Sequence, residues 1–350
     1  MNVIAQVDKL SVDKAILSMM DRLSFVQDMP QVLPVLMDFL SGLPANRRLQ
    51  AAASLAHANP FFLPAMDEDS VRQLSVSLDQ FAELVFRAKL TAHHAKQPNV
   101  LVACAPKSAS TFISAALCQA MQVPTASLAL PALTPLASSN LGGNLRSQET
   151  DELALLRAGL NGRGYVGQHH IRCTPFLASQ LQVYNIRTIV TIRNFFDTLV
   201  SLDDMLVSWR ASGGTGFYDD GLPADYASYS LEERLDLLVA EQAVWYAQFL
   251  LSWTRCEREG RVKPLWVRYE TDFLGDKKVL SARIAEFIGN GYCDADKLLA
   301  AFGDTSDADR KRINKGVSGR GAAVPVAVRD RAMRIFERYA ADCDMTPLTG

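Results

Sequence analysis

The sequence predicts an α/β fold: a parallel sheet with helices on both faces, preceded by an α-helical N-terminal region. Short apolar, β-branched runs occur near residues 100, 166, 188 and 265, and stretches with helical apolar spacing separate them. A chain of 350 residues is long enough to bury the core such a sheet needs. Residues 1–97 carry apolar side chains at three- and four-residue spacing with little strand signal. The expected division is a helical extension over 1–97 and an α/β domain over 98–350.

In the front segment the spacing predicts helices over Val7–Met20, Pro30–Leu40, Asn46–Ala58 and Asp67–His94, with Asp67-Glu68-Asp69 suited to a helix N-terminus. Prolines 30, 34, 44, 60 and 64 punctuate it. Val100–Cys104 reads as a buried strand stopped by Pro106, and Phe112–Met121 as the helix that follows. The Pro-, Ser- and Gly-rich stretch 124–144 reads as an irregular loop, Ser147–Ala158 as a helix and Tyr165–Ile171 as a strand. Further on come a helix over Phe176–Tyr184, the strand Arg187–Ile192, a helix over Thr198–Trp209 and a Gly- and Asp-rich loop over 211–225. A long helix over Leu231–Cys256, the strand Pro264–Tyr269 and helices over Lys277–Ile288, Asp294–Phe302 and Arg329–Ala341 complete the chain.

Composition narrows the function. Charged residues make up 21% and the net charge is −2, so no basic field points to nucleic acid or an anionic membrane. The first residues lack the basic start and apolar core of a signal peptide, and no apolar run is long enough to span a bilayer. Six scattered cysteines without a CxxC suggest free thiols in a reducing compartment, the cytoplasm. No Cys/His cluster has zinc spacing, and His93 and His94, being adjacent, do not share a helix face, so no metal is expected.

The chemistry concentrates between Asn99 and Gln122, NVLVACAPKSASTFISAALCQAMQ. A strand, a tight turn of small hydroxyl residues with one lysine, and a helix make an anion cradle. Turn amides and the positive helix end point at one place, and Lys107 adds a full charge. A phosphate or sulfate ester is the ligand class implied. The stretch holds no glycine, which excludes a standard NTPase loop. A second candidate lies in Ile189–Met205, where Arg193 ends a strand and Ser201 follows within a helix. At a carboxyl strand end an arginine can grip a phosphate bidentately, with the serine hydroxyl donating to it.

These motifs together resemble the sulfotransferases that use 3′-phosphoadenosine 5′-phosphosulfate (PAPS), a P-loop-like α/β fold. Pro106, Lys107, Ser108 and Thr111 match that family's P-K-S-G-T-T-W loop, while Ala109, Ser110 and Phe112 replace its Gly, Thr and Trp. Arg193, Asn194, Asp197 and Ser201 match the fixed positions of its 3′-phosphate motif, R-N-x-x-D-x-x-x-S. Arg268-Tyr269-Glu270 resembles its R-Y-E strand end, and Asn314-Lys315-Gly316-Val317-Ser318-Gly319 its late R-K-G-x-x-G loop, with Arg312 or Arg320 able to stand in for the missing first arginine. The helix from Trp245-Tyr246 to Trp253 resembles its W-F-x-x-x-x-x-W helix. The resemblance spans residues 98–325 and leaves the first 97 outside it.

The resemblance implies transfer of a sulfuryl group from PAPS to an acceptor hydroxyl, leaving 3′-phosphoadenosine 5′-phosphate (PAP). Lys107 would bind the bridging oxygen and 5′-phosphate. Ser108, Ser110 and Thr111, with the amides through Ala109, would hold the other oxygens, and Phe112 would stack near adenine. Arg193 and Ser201 would hold the 3′-phosphate, joined by Tyr269, Lys315 and Gly316. A base must take the acceptor's proton, and histidine, with an unperturbed pKa of about 6.5, suits that task. His169 and His170 both stand at the family's distance before the arginine. Strand alternation sends them to opposite faces. The family's base is commonly followed by an aliphatic residue, which favours His170 before Ile171. Glu149 or Glu152 are the carboxylate alternatives. The acceptor, a carbohydrate or a small lipid- or polyketide-like alcohol, has no readable code. Two other readings remain: a nucleotide-dependent phosphotransferase, and a non-catalytic PAP-binding scaffold whose helical front docks a partner.

Overall fold

A computed structural model describes residues 9–23, 29–59, 62–63, 68–73, 75–94, 99–128, 150–160, 164–211, 222–304 and 317–350. Helices open the chain: α1 (Lys9–Leu23), α2 (Met29–Gly42), α3 (Ala45–Ala58), α4 (Glu68–Gln73) and α5 (Leu78–His93). The single helix expected over Asp67–His94 is two. Ser77 Oγ accepts from Gln80 N while the Gln80 side chain accepts from Ser77 N, a capping box that starts α5 afresh. Val12, Ile16, Met20, Leu36, Phe39 and Leu55 close a small core among α1, α2 and α3. By contrast, Ala88 and Ala92 of α5 bury into the core of the sheet.

The sheet has five parallel strands, β1 (Asn99–Cys104), β2 (Thr125–Ala126), β3 (Tyr165–His169), β4 (Ile186–Ile192) and β5 (Leu265–Arg268), in the order β2-β3-β1-β4-β5. Every residue of β1 is buried, as its unbroken apolar sequence requires of a central strand. Its alternate side chains feed two cores. Leu101 and Ala103 pack with α5 and with α7 (Glu152–Gly159), α8 (Pro175–Val183), α9 (Phe195–Ala211), α10 (Leu231–Arg258) and α13 (Val326–Glu337). Val100, Val102 and Cys104 pack with α6 (Ser110–Met121), α11 (Lys277–Ile288) and α12 (Ala295–Gly303). The fold is therefore α/β, with helices on both faces and a helical N-terminal region. A short C-terminal helix, α14 (Thr346–Thr349), packs beside α9.

The order of strands sets the place of any site. From β1 the chain turns through α6 towards β3, whereas from β4 it continues to the far edge at β5. Connections diverging from two neighbouring strands leave a crevice at their carboxyl ends, between β1 and β4. Two local features were not expected from sequence: the two-residue edge strand β2, and a π turn over Tyr269–Phe273 after β5. Among the described residues no helix is long and apolar enough to cross a membrane, no His/Cys/Asp/Glu group is of a size to hold a metal, and the six cysteines are free.

Candidate anion site and proton acceptor

Three neighbouring strands, β3, β1 and β4, bring their carboxyl ends together, and each end carries one sequence-predicted group. The β1 end gives the cradle. Lys107 and Ala109 both take left-handed backbone (φ 63° and 66°), which costs an L-residue about 1–2 kcal/mol and curls the turn. Ala109 is the N-cap of α6 and gives it no side-chain cap, so the positive end of that helix faces the turn. Ser108 is placed differently from the expectation. Its hydroxyl is buried, donates to Ala105 O at 2.5 Å and meets Thr191 Oγ1 at 2.6 Å, so its side chain ties the turn to β4. Lys107 Nζ lies 3.5 Å from Met205 Sδ of α9.

The β4 end gives Arg193, 5% exposed. It donates to Lys107 O at 3.1 Å and to Val317 O at 2.9 Å, and its guanidinium lies 4.1 Å from the centre of the Tyr269 ring. The Asp197 carboxylate is 4.0 Å away, and the buried Nε–H of Arg193 has no hydrogen-bond partner among the described residues. Tyr269 is thus a platform for Arg193. Ser201 lies two turns into α9, buried, and is not among the described partners of Arg193. The rest of the motif builds the helix start. Asn194 Oδ1 accepts from Phe196 N and Asp197 N, and Glu270 Oε1 accepts from Asn194 N. Asp197 in turn accepts from Gly319 N at 2.8 Å and Gly321 N at 2.5 Å. A Cβ on Gly321 would come within 2.7 Å of Phe196 Cβ and 2.9 Å of Asp197 N, so the close approach of this turn to α9 needs glycine. Lys315, Gly316, Arg312 and Asn314 lie outside the described residues, as does Glu149.

The β3 end separates the two histidines. His169 points into the core that holds Leu128, and its Nε2 accepts from Leu128 N at 2.8 Å. Burial, then the charge of His170, pushes its pKa down to about 4, so it is a neutral structural acceptor. His170 lies on the opposite face beside Cys104, with Nδ1 2.9 Å from Cys104 O and 3.2 Å from Cys104 Sγ. A carbonyl can only accept, so Nδ1 carries the proton and Nε2 the basic lone pair. Burial drives the Cys104 thiol up to about 12, which keeps it neutral there. Glu152, the carboxylate alternative within the described residues, is paired at 2.8 Å with Lys89 of α5.

Phe112 departs from its expected role. It is 6% exposed, with its ring stacked on Phe302 at 5.6 Å and set edge-on to Phe273 at 5.3 Å, so it is core and presents no open face to a base. Sequence reasoning missed Gln168, whose amide donates to Ser110 Oγ and Thr111 Oγ1 at 3.0 and 3.3 Å. Strand alternation, which puts Gln168 on the face of His170, was the available signal. The long helix α10 holds two of these ends. Tyr246 OH donates to Pro106 O at 3.1 Å, and Trp253 Nε1 donates to Ile171 O at 3.0 Å.

No family model matches the chain, and no curated protein matches it.

Proposed function

We propose that the chain is a PAPS-dependent sulfotransferase acting on the hydroxyl of a carbohydrate or small lipid- or polyketide-like acceptor. One observation carries the reading: the adjacent ends of β3, β1 and β4 hold, side by side, a tautomer-fixed histidine, an uncapped cationic turn and a buried arginine. That set fits a bisphosphorylated nucleotide. The positive end of α6, without a side-chain cap, and the Nε–H of Arg193, without a hydrogen-bond partner among the described residues, would both suit anionic oxygens. When bound, PAPS would supply the transferable sulfuryl group and a bisphosphate leaving group.

The chain's own residues would then act by position and charge. His170 Nε2 would take the acceptor's hydroxyl proton, while Nδ1–H, held by Cys104 O, keeps the ring in place. Lys107 and the α6 amides would offset charge developing on the leaving oxygen, the main electrostatic demand of a loose transfer. Arg193, 4.1 Å over the Tyr269 ring, would hold the second phosphate with the Val317–Gly321 turn beside it. His169 and Glu152 take no part in the chemistry.

Calorimetric titration with PAP, without metal, on wild type and Arg193→Ala tests this. Binding that weakens at least a hundredfold in the variant supports the cofactor, and indifference to PAP with Mg²⁺-dependent ATP binding overturns it for the phosphotransferase. One observation favours the non-catalytic scaffold as a second reading: Leu78, Phe81, Leu84, Phe86 and Leu90 of α5 are all exposed, apolar surface that a partner could cover. That reading requires PAP binding with no turnover under any acceptor, and no effect of His170→Ala.

A further inference from the structure

We infer that Gln168 is a positioning residue that fixes Ser110 and Thr111 as proton donors towards the 5′ anionic group, an inference that rests on the PAPS reading of the site. The argument is one of hydrogen-bond direction. The single amide nitrogen of Gln168 lies 3.0 Å from Ser110 Oγ and 3.3 Å from Thr111 Oγ1. It carries two N–H groups, one for each hydroxyl. A hydroxyl that accepts on the Gln168 side turns its one proton away from Gln168. Both hydroxyls belong to the first turn of α6, where the helix has no side-chain cap. Their protons therefore add to the positive end of α6 instead of competing with it for an anion.

The neighbours leave this assignment intact. Cys104 is a further hydrogen-bonding neighbour of both Ser110 and Gln168, but it stays a neutral thiol in its buried place, and its sulfur is a weaker acceptor than either hydroxyl. Ser108, the other hydroxyl of the turn, is committed to Ala105 O and Thr191. Gln168 lies in β3 two residues before His170, which follows directly on that strand's end, so one chain segment sets both the proton acceptor and the donors around the leaving oxygens. A carboxylate in its place would invert the pattern, accepting from both hydroxyls and drawing their protons off the anion.

The test compares PAP with adenosine 3′-monophosphate, which lacks the 5′ group, by calorimetry on wild type, Gln168→Leu and Gln168→Glu, each first shown to melt cooperatively. The expected result is PAP affinity lower by about tenfold in Gln168→Leu and about a hundredfold in Gln168→Glu, with 3′-monophosphate affinity unchanged. In a Ser110→Ala/Thr111→Val background, where the hydroxyls are gone, Gln168→Leu should cost nothing further. Equal losses for both nucleotides, or an unchanged ratio, overturn the positioning role while leaving the PAPS reading standing. If wild type binds neither nucleotide, the PAPS reading falls and this inference with it. Should the Gln168 variants fail to fold, the Ser110→Ala/Thr111→Val protein decides alone: PAP affinity equal to wild type overturns the inference.

Discussion

His169 and His170 are neighbours in sequence with opposite environments, and the difference has a measurable consequence. The folded pKa of His169 lies near 4, below the unfolded value near 6.5, so between those limits the unfolded chain binds more protons and stability rises with pH. Going from about pH 7 to about pH 5 should therefore cost about 2 kcal/mol through this residue. Chemical denaturation at the two pH values checks it, and His169→Gln, which can still accept from Leu128 N, should flatten the difference. The sequence placed both histidines at a strand end and noted that they face apart. What it lacked was which face meets the β1 turn, because that depends on the Ala103–His169 register of two strands distant in the chain. Phe112 shows the same limit. Its place in the motif was legible, but Phe302 and Phe273, the rings that cover it, lie in segments whose approach no local pattern encodes.

At the scale of elements, α10 acts as a brace across two strand ends. Tyr246 holds the carbonyl before Lys107, and Trp253 the carbonyl after His170. Tyr246→Phe and Trp253→Phe should each cost about 1 kcal/mol of stability, the usual worth of one such bond. Under the proposed PAPS reading their functional effects should divide: Tyr246→Phe weakens PAP binding, and Trp253→Phe lowers kcat with PAP affinity unchanged, which titration and steady-state kinetics separate. Strands β1, β3, β4 and β5 were legible in the sequence as short apolar stretches between segments of helical spacing, clearest in β1 and β4 with their Val, Ile and Thr residues. The boundary at Ser77 was less so. Its S-x-x-Q capping signal is present, but helical apolar spacing runs across it and masked the break. The edge strand β2 is too short to leave any period at all.

For the whole molecule, the front of the chain does not act as one piece. The core of α1, α2 and α3 is distinct from those of the sheet, whereas α5 closes against α7, where Gly159 leaves room for Ala92. Deletion of residues 1–66 should thus leave a cooperative melt and, under the proposed PAPS reading, PAP binding, while deletion through residue 94 should expose the α5-facing core and drop the melting temperature sharply. Calorimetric scans of the two truncations check this. Composition suggested a helical extension ending near residue 97; the packing of α5 follows from buried alanines, which carry no signal in a sequence full of them.

The bonds that join the three strand ends link residues 66 and 86 positions apart, Cys104 to His170 and Lys107 to Arg193. A site assembled that way cannot be lifted out as a loop or a peptide. A design that borrowed it would have to carry the central three strands and their crossovers, and a chain break anywhere between Lys107 and Arg193 would put the pieces of the site on separate fragments.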